Sequence, residues 1–151
     1  MNEFEYIDKY FKPLVGKEAR SLKDDAALFK PKLNNDIVIS TDSLAEGIHF
    51  FGKERPSDIA KKCLRVNLSD IAAMGAKPLF YNLAISIPKN KISNFIPTFA
   101  RGLKEDQELY NLKLIGGDLT SSLEHINITI SIFGEIPSGH AISRDGACPD
   151  D

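Results

Sequence analysis

The sequence predicts an α+β domain: a mixed β-sheet with helices packed on one face. Three observations predict it. Residues 57–75 and 92–109 repeat their apolar side chains at helical spacing. Residues 79–87 and 126–132 alternate apolar and polar side chains with the period of a strand. The length, 151 residues, argues for one domain.

Phe4, Ile7 and Phe11 predict a helix over 3–11 that Pro13 stops. Residues 12–23 are polar and read as loop, the apolar run 26–29 as a short strand, and the β-branched run 36–41 as a second strand. Residues 44–56 show no period and hold Gly47, Gly52 and Pro56, the composition of a loop. Ser57 is the expected N-cap of the next helix, with Asp58 in its first turn. Ile59, Cys63, Leu64, Leu68 and Ile71 keep helical spacing, Gly75 is the expected C-cap, and Pro78 follows. Leu79, Tyr81, Leu83, Ile85 and Ile87 form one face of a strand that ends at Pro88. Phe95, Ile96, Phe99 and Leu103 place a helix over 92–109, in which Pro97 suits only the first turn. Residues 112–115 read as a strand leading into a turn at Gly116-Gly117-Asp118, and Ile126, Ile128, Ile130 and Ile132 as the last strand. The expected order is helix, strand, strand, helix, strand, helix, strand, strand. Residues 144–151 read as a turn into a further strand, so the chain is expected to be part of a longer protein.

Hydrophobic residues make up 42% and charged residues 26%, which excludes a disordered tail, a collagen-like rod and a coiled coil. The net charge of −2 gives no field that draws nucleic acid or an anionic membrane, and neither is expected as a partner. No apolar run approaches the roughly 18 residues of a spanning helix, and the acidic start Met1-Asn2-Glu3-Phe4-Glu5 is no signal peptide. Cys63 and Cys148 lie far apart, which argues against a zinc site and a disulfide framework. The expected location is the cytoplasm.

Neither G-x-x-x-x-G-K-S/T nor G-x-G-x-x-G is present. The chemistry lies in acids at the ends of regular elements. Asp25, with Asp24, precedes the first short strand, Asp42 follows the 36–41 strand, Asp70 lies in an apolar helix, and Asp118 follows a strand. Carboxylates converging at one sheet edge repel one another unless cations join them. Mg²⁺ is the natural partner, shared between carboxylates and substrate phosphates in phosphoryl transfer. The plainer reading of each acid is a turn or cap residue. Asp70 fits that reading least, because Asn67, Cys63 and Met74 share its helix face and a buried carboxylate needs a partner. Gly116-Gly117-Asp118 suits either close approach to an anion or a tight turn. His49 reads locally as a loop histidine, Arg144 as a phosphate clamp or a surface cation, and Ser40 and Thr41 as metal-facing oxygens or strand residues.

Four segments resemble the thiamine-monophosphate kinase family, in order and spacing, over nearly all of the chain. Ser40-Thr41-Asp42-Ser43-Leu44-Ala45-Glu46-Gly47-Ile48-His49-Phe50 resembles its S-T-D-x-L-x-x-G-x-H-F segment. Residues 67–78 resemble its N-L-S-D-I/L-A-A-M-G-A-x-P helix, Ile115-Gly116-Gly117-Asp118 its I-G-G-D turn, and residues 143–147 its R-x-G-A segment. The resemblance implies ATP-dependent phosphorylation of thiamine monophosphate to thiamine diphosphate, with several Mg²⁺ ions and no catalytic side chain beyond metal-assisted positioning. It implies metal ligands at Asp25, Ser40, Thr41, Asp42, Asp70 and Asp118, ATP contacts at Gly117, Asp118 and Arg144, and a substrate contact at His49. It implies the N-terminal domain of the aminoimidazole-ribotide-synthetase-like fold, spanning 1–151, and a homodimer whose strands join across the two-fold axis. The family's C-terminal domain, with its D-L-S-D-G motif, is absent from this chain. Two departures stand out: Ser21-Leu22-Lys23-Asp24-Asp25 lacks both glycines of the family's G-x-G-D-D, and Pro149-Asp150-Asp151 replaces P-G-D. The alternatives are a non-catalytic dimerisation or nucleotide-binding module, and a relative acting on another phosphate acceptor.

Overall fold

The period-two stretches pair into one sheet. Its strands are β1 (Asn35–Ala45), β2 (Lys77–Pro88), β3 (Lys113–Ser122) and β4 (Asn127–Pro137), in the order β1-β4-β2-β3. The computed structural model describes residues 2–146 and Cys148. β4 runs antiparallel to both neighbours, and β2 and β3 are parallel. The three helices are α1 (Glu3–Tyr6), α2 (Pro56–Ala73) and α3 (Ile92–Tyr110).

The helices cover one face, as the periodicity predicts. Leu83, Ile85 and Ile87 of β2 and Ile128, Ile130 and Ile132 of β4 point into the core, where Ile59, Leu64 and Ile71 of α2 and Ile96, Phe99 and Leu103 of α3 meet them. The opposite face carries hydroxyls instead. Thr41 Oγ1 donates to Ser131 Oγ at 2.9 Å, and the Ser43 and Thr129 hydroxyls bond at 2.7 Å. At one end of this face Phe29 packs on Phe80 and Phe133.

Two contacts lock the helix pair. A Cβ on Gly102 of α3 would lie 2.3 Å from the Ser57 carbonyl oxygen of α2, so the helices meet there only because residue 102 has no side chain. Arg65 grips Asp106 through two bonds of 2.8 Å, and Asp106 is 1% exposed. A buried chain of bonds then ties the N-terminal segment down: Tyr81 Oη donates to Gln107 Oε1 at 2.6 Å, and Gln107 Nε2 donates to the Leu14 carbonyl at 3.0 Å.

Several boundaries differ from the sequence expectation. The first helix holds α geometry only to Tyr6, then widens to a π turn over Ile7–Phe11 and tightens to a 3₁₀ turn over Lys12–Leu14. Residues 26–29 form no strand: the Leu28 N–H bonds the Glu18 carbonyl, and Phe29 is spent on packing. A 3₁₀ segment, Lys17–Leu22, replaces the expected loop. α2 starts at Pro56, whose missing N–H costs nothing at the first helical position, so Ser57 is a buried helix residue and not the N-cap. Its end is as expected: Gly75 is left-handed at φ +73°, and the Gly75 and Ala76 N–H groups bond the Ala72 and Ile71 carbonyls. Pro97 sits inside α3 rather than in its first turn. It forgoes one helical hydrogen bond, offset by the burial of Phe95, Ile96 and Phe99 beside it. β1 runs through Asp42 to Ala45, and β3 runs through Gly116-Gly117-Asp118 to Ser122, so that tripeptide is strand and not turn. Arg144–Gly146 is a 3₁₀ turn, while Ala147 and residues 149–151, where a further strand is expected, lie outside the described residues. Among the described residues no helix is long and apolar enough to cross a membrane.

The Gly102 contact makes a direct prediction. Gly102→Ala must push α2 and α3 apart, and overpacking of this kind costs about 2–3 kcal/mol. Urea unfolding is expected to show that loss, and an unchanged midpoint would mean that the helices do not meet at this point.

Candidate functional site

The predicted site residues divide into two groups. The first lies at β1 and the end of α2. Ser40 and Asp42 alternate onto the helix side of β1, and Ser40 Oγ donates to Asp70 Oδ2 at 2.5 Å. Asp70 is exposed, against the buried position its apolar neighbours suggest. Three residues along a helix turn through about 300°, so Asp70 looks past the rim while Asn67 points inward and is fully buried. Asn67 Nδ2 donates to the Cys63 carbonyl, and its Oδ1 has no partner. Thr41 is one residue out of phase, and its side chain bonds Ser131 on the open face. Arg144 begins a turn two residues beyond Ile142, whose N–H bonds the Met74 carbonyl, so it belongs to the α2 end and not to the Gly117 end.

The second group lies at β3. Asp24, Asp25, Gly117 and Asp118 line one cleft of about 250 Å³ beneath the N-terminal segment. A Cβ at Gly117 would come 1.8 Å from the Leu83 carbonyl oxygen, so only glycine allows this strand pairing. The turn before Asp24 is strained: Arg20, Ser21 and Leu22 all hold positive φ, at 49°, 60° and 56°. Arg20 Nε reaches Asp24 at 2.8 Å.

β1 and β3 are opposite edges of the sheet, three strand spacings or roughly 14 Å apart. Among the described residues no three His, Cys, Asp or Glu side chains gather around one point. The expected convergence of all the acids at one edge is therefore not seen within one chain. Both groups fit Mg²⁺ in donor chemistry: every side-chain donor is a carboxylate or hydroxyl oxygen, and Mg²⁺ is usually held by one or two carboxylates plus water and substrate phosphate.

His49 lies in the turn after β1, and that turn is heavily wired. The Ala45 N–H donates to His49 Nδ1 at 3.0 Å, so the neutral ring carries its proton on Nε2. Lys62 Nζ bonds the His49 carbonyl, and the Gly47 N–H bonds the Phe50 carbonyl at 2.7 Å. The anchor is Glu46, which sequence reading missed because its partners lie far along the chain. It accepts from Lys91 Nζ at 2.7 and 2.8 Å and from the Ile126 N–H at 2.9 Å. Burial by itself would raise the Glu46 pKa, but Lys91 and the Ile126 N–H together hold it below the ordinary carboxylate value.

The family described as AIR synthase related protein, N-terminal domain, matches residues 23–136. A thiamine-monophosphate kinase of Buchnera aphidicola subsp. Schizaphis graminum is 44% identical over 149 residues, covering 97% of this chain and 45% of that protein. The crystal structure of thiamine-monophosphate kinase from Stenotrophomonas maltophilia K279a superposes with a TM-score of 0.78 at 35% identity, over 96% of this chain and 46% of that one. AaThiL complexed with AMPPCP and TMP superposes with a TM-score of 0.72 at 30% identity, over 97% of this chain and 45% of that one. The chain thus spans about half the length of the curated relatives it matches.

The lowered Glu46 pKa fixes the sign of a pH effect. Its ion pair stabilises the turn above the ordinary value of 4.5, and that contribution is lost as pH falls through the lower folded-state value. Hydrogen-exchange protection of the Ile126 amide is expected to hold above pH 4.5 and to fall in more acidic solution. Glu46→Gln is expected to show weak protection throughout. The same acid-dependent fall in the variant would assign it to another group.

Proposed function

The chain belongs to the AIR synthase related protein family through that family's N-terminal domain, and on that premise we propose that it forms the Mg²⁺- and ATP-binding part of a thiamine-monophosphate kinase. In this reading it is a cytoplasmic protein that phosphorylates thiamine monophosphate to thiamine diphosphate using ATP. The observation that carries the reading is the cleft joining Asp25, from the start of the chain, to Gly117 and Asp118 on β3. Acids and a side-chain-free backbone meet there, as binding of a metal-loaded polyphosphate requires.

Asp25 and Asp118 on one side, and Ser40, Asp42 and Asp70 with the Thr41 segment on the other, would hold the metal. Bound Mg²⁺ neutralises phosphate charge and orients the transferred group. The residues themselves bind and align. Gly117 lets the backbone approach the nucleotide, Arg144 offers a planar two-donor fork to a phosphate, and His49 offers Nε2–H to the substrate's phosphate. No protein nucleophile is needed, since in-line placement of acceptor and γ-phosphate does the work.

Binding of ATP is expected to need Mg²⁺, because the acids would otherwise face the triphosphate unscreened. Calorimetry on the purified chain should show ATP affinity falling at least about tenfold in EDTA, and as far in Asp70→Asn with Mg²⁺ present. Asp70 is exposed, so the variant's melting temperature should stay unchanged. Equal affinity in EDTA would overturn the shared metal–nucleotide site. Phosphate transfer only to acceptors other than thiamine monophosphate would overturn the substrate assignment.

We also infer a homodimer. Among the described residues no strand pairs with the outer edge of β1, the outer edge of β3 is met only at Leu114, by Val15 and Gly16, and Ile39 stands 61% exposed on the uncovered face. Pairing two copies would bring the β1-side oxygens of one toward the β3-side acids of the other. Sedimentation at tens of micromolar, a range in which stable interfaces are filled, should give the dimer mass, and a clean monomer would remove the proposal.

A further inference from the structure

Successive amides of a strand point to opposite edges, so whatever fixes the direction of one fixes its neighbour. At the end of β1 that pair is Ala45 and Glu46. The Glu46 N–H bonds the Ile126 carbonyl at 2.9 Å, toward β4. The Ala45 N–H therefore points to the outer edge of the sheet, where it donates to His49 Nδ1 at 3.0 Å. Regular pairing of β1 with β4 stops at Ala45 and Asn127, and the Glu46 side chain carries it one step further. Its Oε2 takes the Ile126 N–H at 2.9 Å, so Glu46 meets both backbone groups of Ile126. Lys91 Nζ reaches both oxygens of the carboxylate, at 2.7 and 2.8 Å, and the Glu46 side chain is 13% exposed. A carboxylate this sheltered is costly unless it is paired.

The rest of the turn does not replace this anchor. Gly47 holds a positive φ of 88°, Ile48 and His49 are exposed, and the buried Phe50 comes only after the histidine. Lys62 holds the His49 carbonyl, which fixes backbone and leaves the ring free to turn.

We propose that Glu46 is a positioning residue: by fixing the Ala45 N–H at the end of β1, it keeps His49 in one tautomer and one direction, with Nε2–H presented to a phosphate monoester. The inference rests on the substrate contact read above for His49 and adds what holds that donor in place. A histidine free to rotate and exchange tautomers turns an acceptor nitrogen outward part of the time, and an acceptor repels a phosphate oxygen. Held by Ala45 at Nδ1, the neutral ring has only a donor to offer. Glu46 itself is spent on Lys91 and Ile126, so its effect on a ligand passes through His49.

The test is a double-mutant cycle, which reads whether one residue acts through another. Binding of thiamine monophosphate with Mg²⁺ is measured by calorimetry for the unaltered chain, Glu46→Gln, His49→Ala and the double variant. Glu46→Gln is expected to weaken binding about tenfold, the worth of one hydrogen bond to a charged group. It should add less than about twofold when His49 is already alanine. Lys91→Met should behave as Glu46→Gln does, and Lys91→Arg, which restores the ion pair, should bind as the unaltered chain does. Lys91 is 38% exposed, so these two variants keep the fold. Equal losses with and without His49, or no loss, overturn the proposal. The nitrogen NMR shifts of the His49 ring give a second reading that needs no ligand. The unaltered chain and Lys91→Arg should show one tautomer, protonated on Nε2, whereas Lys91→Met and Glu46→Gln should show the average of two. An unchanged tautomer in both overturns the proposal. If the unaltered chain does not bind thiamine monophosphate, or if His49→Ala binds it equally well, the substrate contact of the preceding reading fails. The ring shifts then decide by themselves whether Glu46 positions His49.

Discussion

Ile115 is an extra residue in β3: Leu114 pairs with Tyr81 and Gly116 with Asn82, so the strand changes parity at that point. Before the bulge Leu114 faces the core, and after it Leu119 does, opposite Ile85. Asp118, opposite Ala84, therefore faces out. With unbroken alternation the carboxylate would point into the core and Leu119 into water. A bulge commonly re-aims one side chain beside a functional site. Here it also requires Gly117, because the shifted backbone runs so close to Leu83 that no Cβ fits. The sheet, the cleft and the position of the acid all depend on this one local irregularity.

The other side of the cleft is held under strain. Arg20, Ser21 and Leu22 adopt left-handed backbone, which costs roughly 1–2 kcal/mol per non-glycine residue. These positions lie at and beside the place of the first glycine in the G-x-G-D-D pattern from which this chain departs, so the left-handed backbone is held here without glycine. Local contacts hold it: Ala19 is buried, the Lys23 N–H bonds the Arg20 carbonyl, and Arg20 pairs with Asp24. The N-terminal segment above it is fixed through Leu14, Gln107 and Tyr81 to α3 and β2. Rigid support of this kind keeps Asp24 and Asp25 facing β3.

At the opposite edge the same problem is solved with charge. The turn after β1 exposes Ile48, His49 and Phe51 and buries little but Phe50. It is held by Glu46, which reaches the starts of α3 and β4 at once through Lys91 and Ile126. The consequence for His49 is a defined tautomer, with Nδ1 occupied and Nε2–H directed outward as a donor. Polar anchoring thus stands in for a core where the site must remain open.

The sequence by itself determined the number and kind of the main elements, because burial against a single layer of helices imposes period two on strands and a period near 3.6 on helices. Ile126, Ile128, Ile130 and Ile132, and the Gly75 cap, were legible for that reason. It also singled out the acids at strand and helix ends as candidate oxygen ligands, although turns and caps use the same residues. Only the tertiary structure decided where those oxygens point. The exposure of Asp70, the turning of Thr41 to the far face, the outward aim of Asp118 and the separation of the acids to two sheet edges follow from strand order and one bulge. Both are set by contacts between residues distant in the chain, and local periodicity contains no information about them. Glu46 was hidden for the same reason: its role exists only because Lys91 and Ile126 arrive beside it.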